Sequence, residues 1–180
     1  MGGGCSFFRS AKIRVMKIMV FLHGTATMHR SAVGKSREER VRQSAKREEG
    51  VLDYENYVPV GNSVQKIKNW ENSGAQIVYL SSHEDERDIG KDVRVLKRYG
   101  FPEGPIYFRE KGEQYKDVAE RVLPDVLIED DCESIGGEVE MTYPHIRSDL
   151  KPRIKSIVVK EFSGIDHLPD NPQELLTYKC

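Results

Sequence analysis

Three short polar segments could carry chemistry, because each follows an apolar run of the kind that forms a buried strand. They are residues 23–25 (His-Gly-Thr), 81–83 (Ser-Ser-His) and 129–131 (Glu-Asp-Asp), and Lys111 and Lys116 lie shortly before the third segment. Carboxylates, hydroxyls and an ammonium group that converge on one place suit a phosphate group with a hard cation such as Mg²⁺. The residue types therefore predict a phosphate site, provided that the fold brings the segments together.

The sequence around these segments alternates between strand and helix patterns. Apolar runs predict strands at residues 13–22, 76–80, 106–108, 125–128 and 154–162. Apolar residues at helical spacing predict helices between the strands, with helix ends at Gly74 and Gly100. This alternation with short links is typical of an α/β domain with a mainly parallel sheet. In such a sheet, ligands bind beyond the carboxyl ends of the strands, which is where all three polar segments lie.

The stretch from about residue 26 to residue 60 interrupts the alternation with charged sequence. Ser36 and Glu39 form a capping-box pattern, which predicts a helix from about Arg37 to Glu49 that ends at Gly50. The apolar side of this helix is thin, so we expect a surface helix in a small cap rather than a core element. Basic and acidic residues are interleaved along it, which is typical of a solvated helix with ion pairs. No nucleic-acid partner is therefore expected.

In order and character, the segments resemble the motifs of the haloacid dehalogenase-like (HAD) superfamily over about residues 17–159. The first family motif is an apolar strand that ends in Asp-x-Asp-x-Thr, and residues 21–25 read Phe-Leu-His-Gly-Thr. The second motif, a strand ending in Ser or Thr, matches residues 77–81, and the fourth, a strand ending in paired acids, matches residues 126–131. The third motif contributes a lysine, for which Lys116 is the best match and Lys111 the alternative.

The resemblance implies a Rossmannoid three-layer sandwich with a mainly parallel central sheet, a small helical cap inserted at about 26–60, and an ancestry among Mg²⁺-dependent phosphohydrolases. Carried over position by position, it implies phosphate-binding roles for Thr25, Ser81 and Lys116. It also implies metal-binding roles for Asp130 and Asp131. A phosphorylated small molecule is therefore the expected ligand.

The first motif departs from the family pattern at both of its aspartates. In the family, the first aspartate attacks phosphorus and binds Mg²⁺, and Phe21 can do neither. The second aspartate is the general acid/base, and His23 could keep that role because imidazole exchanges protons near neutral pH. We therefore expect a protein that binds a phosphorylated ligand, with catalysis lost or much reduced. The missing carboxylate should also weaken Mg²⁺ binding.

Two alternatives remain open, and with them the question whether the chain is an enzyme. In the first, it is an active metal-dependent phosphohydrolase. His23 then accepts the phosphoryl group, or His23, His83 and Asp130 bind Zn²⁺ or Mn²⁺ that activates water. In the second alternative, the chain is a regulatory or protein-interaction module whose charged helix, with Tyr54 and Tyr57, contacts another protein.

Composition limits these interpretations. Of the 180 residues, 38% are hydrophobic and 32% are charged, which suits one domain with a core of its own. The net charge of −1 argues against a dedicated nucleic-acid or membrane-surface protein. The three cysteines, Cys5, Cys132 and Cys180, match neither a disulfide framework nor a zinc ribbon. The reducing cytoplasm is therefore the expected compartment.

Residues 1–15 are predicted to be a flexible leader that precedes one domain over residues 16–180. The leader begins Met-Gly-Gly-Gly-Cys-Ser, and three successive glycines do not favour a fixed conformation. The same residues match a permissive myristoylation pattern that uses Gly2 and Ser6. We nevertheless expect no membrane partner, and the oligomeric state is left open.

Overall fold

The fold is built around one five-stranded sheet, which a computed structural model describes within residues 14–179. Its helices and strands, in chain order, are β1 (Lys17–Phe21), β2 (Thr27–Met28), α1 (Arg37–Ala45), β3 (Val58–Pro59), α2 (Ser63–Asn72), β4 (Gln76–Leu80), α3 (Glu86–Tyr99), β5 (Ile106–Tyr107), α4 (Tyr115–Val122), β6 (Val126–Asp130), β7 (Lys155–Val159) and α5 (Pro172–Leu175). Most of the predicted leader, residues 1–13, lies outside the described residues. The same holds for Ile13 of the predicted first strand.

The central sheet has the strand order β5-β4-β1-β6-β7, and every neighbouring pair in it is parallel. β1 lies in the middle, where Ile18 pairs with Ile77 of β4 on one side and with Val126 of β6 on the other. The predicted α/β class with a mainly parallel central sheet is thus confirmed. Because β1, β4 and β6 are adjacent and parallel, the residues that follow these strands meet at one edge of the sheet.

Apolar layers cover both faces of the sheet, because successive side chains of a strand point to opposite faces. Ile18 and Val20 of β1 belong to a core that includes Trp70 of α2, which is fully buried as its helical spacing predicts. Met19 of β1 belongs to a second core, on the other face, with Val118 of α4. The result is the predicted three-layer arrangement of helix, sheet and helix.

The insert, as we call residues 26–60, contains α1 and a short antiparallel ribbon of β2 and β3. The capping box is confirmed, since the Ser36 hydroxyl accepts from the backbone N–H of Glu39 and the Glu39 carboxylate accepts from the N–H of Ser36. α1 ends at Ala45, earlier than predicted, because the chain reverses and Arg47 takes a left-handed conformation at φ 49°. None of the α1 residues is buried. The helix therefore lies at the surface, as expected from its thin apolar side.

Helix α3 turns an acid as well as apolar residues toward the core. Of its apolar residues at helical spacing, Ile89 and Leu96 are buried. Val93 is instead 49% exposed, while Asp92 and Val95 are buried. A carboxylate can take this place in the interior only when hydrogen bonds compensate its burial. Asp92 has such bonds, so α3 carries a buried acid on the side that faces the core.

Within residues 14–179, no helix combines the length and the apolar character that are needed to cross a lipid bilayer. The longest of these helices, α3, has 14 residues.

Candidate functional site

The three polar segments meet at the carboxyl edge of the sheet, next to the insert. A cavity of about 150 Å³ opens there. Its walls include His23, which follows β1, and Asp130, the last residue of β6. Tyr54 and Tyr57 of the insert line it as well, as does Glu161, which follows β7. The parallel sheet thus brings residues from three strand ends and from the insert to one cavity.

His23 is held through both nitrogens of its imidazole. Nδ1 lies 2.5 Å from the hydroxyl oxygen of Ser82, and Nε2 lies 2.9 Å from Oδ1 of Asp92. Because a carboxylate only accepts hydrogen bonds, Nε2 donates to Asp92. The rings of Tyr54 and Tyr57 pack against the imidazole with centroid distances of 4.8 and 5.3 Å. The ring of His23 is therefore fixed in orientation and largely shielded from solvent.

Asp92 of α3 joins the first polar segment to the second, and the sequence analysis missed it. Its Oδ1 accepts from His23, and its Oδ2 accepts from the Ser81 hydroxyl at 2.6 Å. Burial opposes the ionisation of Asp92. The electrostatic interaction and hydrogen bond with His23 and the hydrogen bond from Ser81 outweigh that effect, so the pKa of Asp92 lies below its ordinary value. The buried side chain is thus held as a carboxylate.

His83 lies beside this carboxylate but does not complete a hydrogen bond to it. Its backbone N–H donates to the Ser81 hydroxyl at 3.1 Å. Its Nε2 lies 3.7 Å from Oδ1 of Asp92 and has no hydrogen-bond partner within the described part of the chain. Burial is the main cause that lowers the pKa of His83, and the neighbouring imidazole of His23 adds to it. The imidazole is therefore buried in its neutral form with one nitrogen left over.

A second buried pair links Thr25 to Asp130. The Thr25 hydroxyl donates to Oδ2 of Asp130 at 2.7 Å, and the backbone N–H of Cys132 donates to Oδ1 at 2.9 Å. Burial is the main cause that raises the pKa of Asp130 to about 6, and these two hydrogen bonds only partly oppose it. Gly24 lies directly against the same carboxyl group, because a Cβ at this position would come within 2.6 Å of Oδ2.

Asp131 points away from this pair and belongs to a partly exposed network of charges. Its Oδ1 accepts from the backbone N–H of Glu161 at 3.0 Å, and its Oδ2 lies 2.9 Å from the ammonium group of Lys160. Although burial opposes ionisation, these partners lower the pKa of Asp131. All four carboxyl oxygens of Asp130 and Asp131 thus have partners, and the two groups do not converge. The residues present do not fit the Mg²⁺ site that the resemblance implies.

Glu129, the first acid of the third segment, has a structural role. Its carboxyl group accepts from the backbone N–H groups of Thr142 and Tyr143 at 2.6 and 2.8 Å. Burial raises its pKa despite these bonds. Glu129 therefore holds the loop after β6 in place and does not line the cavity.

Glu161 is a second acid of the cavity that the sequence analysis did not single out. It is buried and accepts from both the backbone N–H and the hydroxyl of Ser134, at 2.7 and 2.6 Å. Burial raises its pKa to about 7, and the nearby charge of Asp130 adds to the shift. The predicted last strand, residues 154–162, includes Glu161, whereas β7 ends at Val159 and leaves Glu161 at the same edge as the other polar segments.

Phe21 closes the cavity at the position where the resemblance expects a nucleophilic aspartate. Its side chain is 8% exposed, and its ring meets that of Tyr115 edge to face with centroids 5.0 Å apart. This part of the wall is therefore apolar.

Lys116 lies at a neighbouring cavity of about 340 Å³ and not at the first one. Arg109 and His145 also line this second cavity, while Tyr115 and Glu140 line both. The ammonium group of Lys116 lies 3.4 Å from the carboxylate of Asp117. Lys111, the alternative for the third motif, is exposed.

The structure therefore brings together His23, Thr25, Ser81 and Asp130 and separates them from Asp131 and Lys116. The alternative metal set also changes, because Asp92 and not Asp130 lies beside His23 and His83.

Tyr54 and Tyr57 of the insert pack against the site. Tyr57 is 5% exposed and its hydroxyl donates to the carbonyl of Val51 at 2.7 Å. Tyr54 packs on Tyr57 and on His83, with centroid distances of 4.9 and 4.5 Å. These rings therefore cover the site, and Tyr54 stays partly exposed.

No protein-family model and no curated protein matches this sequence. Among solved structures, a class C acid phosphatase from Bacillus anthracis, determined with tungstate bound, is similar with a TM-score of 0.55 and 14% identity, over 85% of this chain and 70% of that chain. At this identity the likeness is one of fold. It agrees with the predicted α/β fold, in which helices cover both faces of a mainly parallel sheet.

Two structures of the Pnkp1/Rnl/Hen1 complex, one of them titled as an RNA repair complex, are also similar. Their TM-scores are 0.47 and 0.49, and their identities are 11% and 12%. The matches cover 83% and 81% of this chain but 48% and 43% of those chains. This chain thus spans less than half the length of either.

Proposed function

We propose that this protein binds a phosphorylated small molecule at the carboxyl edge of its sheet and has lost the aspartate-based hydrolysis of its fold class. The observation that carries the proposal is Phe21, whose ring packs on Tyr115 at the place of the expected nucleophile. A phenyl ring can neither attack phosphorus nor supply an oxygen ligand to Mg²⁺. A phosphoaspartyl intermediate therefore cannot form at this position.

The phosphate-binding part of the proposal is supported by the second cavity. Lys116 and Arg109 both line it, and His145 adds a third basic side chain. The guanidinium of Arg109 lies over the Tyr115 ring at 4.1 Å, and its buried Nε has no hydrogen-bond partner within residues 14–179. A planar cation held in this way is suited to a phosphate, which accepts hydrogen bonds through several oxygens.

The two cavities support one elongated ligand, because Tyr115 and Glu140 line both of them. In this arrangement the phosphate lies beside Lys116 and the rest of the ligand extends past Tyr115 toward His23. Thr25 and Ser81 act indirectly, since their hydroxyls already donate to Asp130 and Asp92. We expect only weak Mg²⁺ binding, for the reasons given above for Asp130 and Asp131.

A second candidate function is hydrolysis of the same ligand by a route that uses His23. It is favoured by the hydrogen-bonded series from Asp92 through His23 to Ser82. A carboxylate that orients an imidazole, which in turn contacts a hydroxyl, is the arrangement of a general base with its nucleophile. This route would require no carboxylate at position 21.

Binding of a panel of phosphomonoesters, an aryl phosphate and several nucleotides, tests the first function by calorimetry. Lys116→Ala should weaken binding roughly 10- to 100-fold, since a hydrogen bond to a charged group contributes about 1.5–3 kcal/mol. Lys111→Ala is the matched control, because this lysine is exposed and belongs to the same region of sequence. Equal loss in both variants, or no binding by the unmodified protein, contradicts the proposal.

Hydrolysis of the same panel distinguishes the two functions. We expect no turnover with Mg²⁺, Mn²⁺, Zn²⁺ or a chelator. Turnover that disappears in His23→Gln but persists in His167→Gln, an exposed histidine, would establish the second candidate instead.

A further inference from the structure

His23, His83 and Asp92 form a cluster that the proposed phosphate binding does not use. Each offers one ligand atom, and these atoms all lie within 4.8 Å of one another. The three side chains are 10%, 8% and 3% exposed. They come from three elements, the segment after β1, the segment after β4, and α3, which converge here only through the fold.

The unpartnered nitrogen of His83 is an independent sign that the cluster holds something. A buried polar atom without a hydrogen bond costs about 1–3 kcal/mol, so proteins seldom leave one unused. Nε2 of His83 lies 3.7 Å from Oδ1 of Asp92, which is too long for a hydrogen bond. The same Oδ1 lies 2.9 Å from Nε2 of His23.

We propose that His23, His83 and Asp92 bind a zinc ion. Two imidazole nitrogens and one carboxylate oxygen are a ligand set that Zn²⁺ accepts, whereas Mg²⁺ prefers oxygen ligands alone. Ligand atoms around a tetrahedral zinc ion lie roughly 3.3–3.6 Å apart, given zinc–ligand bonds of about 2.0–2.2 Å. The separations of 2.9 and 3.7 Å from Oδ1 of Asp92 lie on either side of this range. The two imidazole nitrogens lie within 4.8 Å of each other, so the rings would close around the ion as it binds.

Hydrogen bonds outside the cluster already orient its ligands. The Ser81 hydroxyl donates to Oδ2 of Asp92 at 2.6 Å, which leaves Oδ1 for the ion. Ser82 contacts Nδ1 of His23 and thereby turns Nε2 of that ring toward Asp92. Metal-binding histidines and carboxylates are usually held by partners of this kind. Zinc replaces the proton that Nε2 of His23 now donates, so binding should release a proton.

The three side chains leave one position of a tetrahedral ion for water or for an atom of a bound ligand. His23 lines the first cavity, whereas His83 and Asp92 do not. The ion would therefore lie at the wall of that cavity, reached from the side of His23. Tyr54 and Tyr57, which pack on His23, shield this side from bulk solvent.

Titration of the chelator-treated full-length protein with Zn²⁺ tests the proposal by calorimetry and elemental analysis. We expect one zinc ion per chain, and weaker binding in His83→Gln and in Asp92→Asn. Each loss should exceed the roughly 10- to 100-fold that removal of an outer hydrogen-bond partner causes. His167→Gln is the control for adventitious binding to an exposed imidazole and should bind as the unmodified protein does.

His83→Gln is the decisive variant, because Nε2 has no partner to lose and circular dichroism should show an intact fold. Unchanged zinc affinity in this variant, or no zinc bound by the unmodified protein, overturns the proposal. Substitution with Co²⁺ adds a spectroscopic test. A thiolate charge-transfer band would place the ion on a cysteine and would equally overturn it. Lys116→Ala should retain zinc, and His83→Gln should retain phosphomonoester binding, so the two proposals can fail separately.

Discussion

The imidazole of His23 and the carboxylate of Asp92 lie 2.9 Å apart, although 69 positions of sequence separate them. Through this contact, α3 is tied to the end of the central strand β1. The same carboxylate accepts from Ser81 at the end of β4. One buried acid therefore fixes the geometry of two strand ends at the site.

Replacement of Asp92 by asparagine should destabilise the protein at neutral pH. His23 and Ser81 would lose a charged acceptor inside the protein, and we expect the free energy of unfolding to fall by roughly 2–4 kcal/mol. Asp88→Asn is the matched control, one turn earlier on α3. Asp88 is partly exposed and pairs with Lys91 at the surface, so little change is expected. Urea denaturation of both variants measures the difference, and equal effects would mean that the Asp92 contacts contribute nothing specific.

Asp130 should make the protein less stable as the pH rises. Its pKa in the folded state is about 6, against an ordinary value of 3.8, so the folded state binds a proton that the unfolded state releases between these values. The free energy of unfolding that Asp130 contributes is thus present below about pH 4 and is lost as the pH rises through about 6. The difference corresponds to roughly 3 kcal/mol. Asp130→Asn should therefore gain stability relative to the unmodified protein between pH 4 and pH 7.

Asp131→Asn provides the control for this pH profile, because the pKa of Asp131 is lowered whereas that of Asp130 is raised. Lys160 and the backbone N–H of Glu161 lower the pKa of Asp131, so its contribution is present above about pH 4. It is lost as the pH falls further. Asp131→Asn should accordingly be less stable than the unmodified protein at pH 7, with a deficit that shrinks in acid. Urea denaturation from pH 3 to pH 8 measures both profiles, and profiles of the same sign would refute the assignment.

Alanine at Gly24 should disturb the Asp130 site more than its backbone conformation alone explains. Gly24 has a φ of +90°, and a Cβ there would come within 2.6 Å of Oδ2 of Asp130. Gly74 has the same φ of +90° but no atom within 4 Å of such a Cβ. Gly74→Ala should cost only the left-handed backbone term of about 1–2 kcal/mol. Gly24→Ala should cost about 1–3 kcal/mol more because of the clash, and equal costs in thermal denaturation would show that Asp130 moves away freely.

The parts of the fold that short sequence patterns encode were predictable. The run at residues 76–80 gives β4 with the predicted bounds, since apolar continuity within five residues decides a buried strand. The Ser36–Glu39 capping box depends on residues three apart and was found as well. His23 and Asp130 line the same cavity. The predicted parallel sheet was enough to expect this, because parallel strands place their carboxyl ends at one edge.

The missed residues depend on long-range contacts that no local pattern contains. Asp92 lies on the buried side of α3 only because His23 and Ser81 compensate its charge from other elements. Asp92 lies three residues after Ile89 and therefore on the same side of the helix. An acid at such a position is ordinarily taken to mark the exposed side. Asp131 follows Asp130 directly and still points elsewhere, because Lys160 and Glu161 after β7 attract its carboxylate. The adjacency of Asp130 and Asp131 in the sequence therefore did not place their carboxylates at one metal site.

Restoring the two aspartates of the first motif should create Mg²⁺-dependent phosphatase activity. In the double variant Phe21→Asp with His23→Asp, a carboxylate would stand at the end of β1, on the same cavity wall as Asp130. It would supply both the missing nucleophile and a second oxygen ligand for the cation. Loss of the Phe21 ring from its contact with Tyr115 should cost about 3–5 kcal/mol, so hydrolysis of an aryl phosphate is measured at low temperature, with circular dichroism to verify folding.

The matched control for this gain of activity is Phe21→Asn with His23→Asn, which has the same size and polarity but no nucleophilic carboxylate. Turnover that requires Mg²⁺ and is specific to the aspartate pair would show that the residues at positions 21 and 23 separate this chain from aspartate-based hydrolysis. A folded aspartate variant that binds Mg²⁺ but hydrolyses no phosphomonoester would count against the alignment of residues 21–25 with the first motif. In that case the separation of Lys116 from the His23 cavity, and not the loss of the nucleophile, would be the reason that the chain does not hydrolyse phosphate esters.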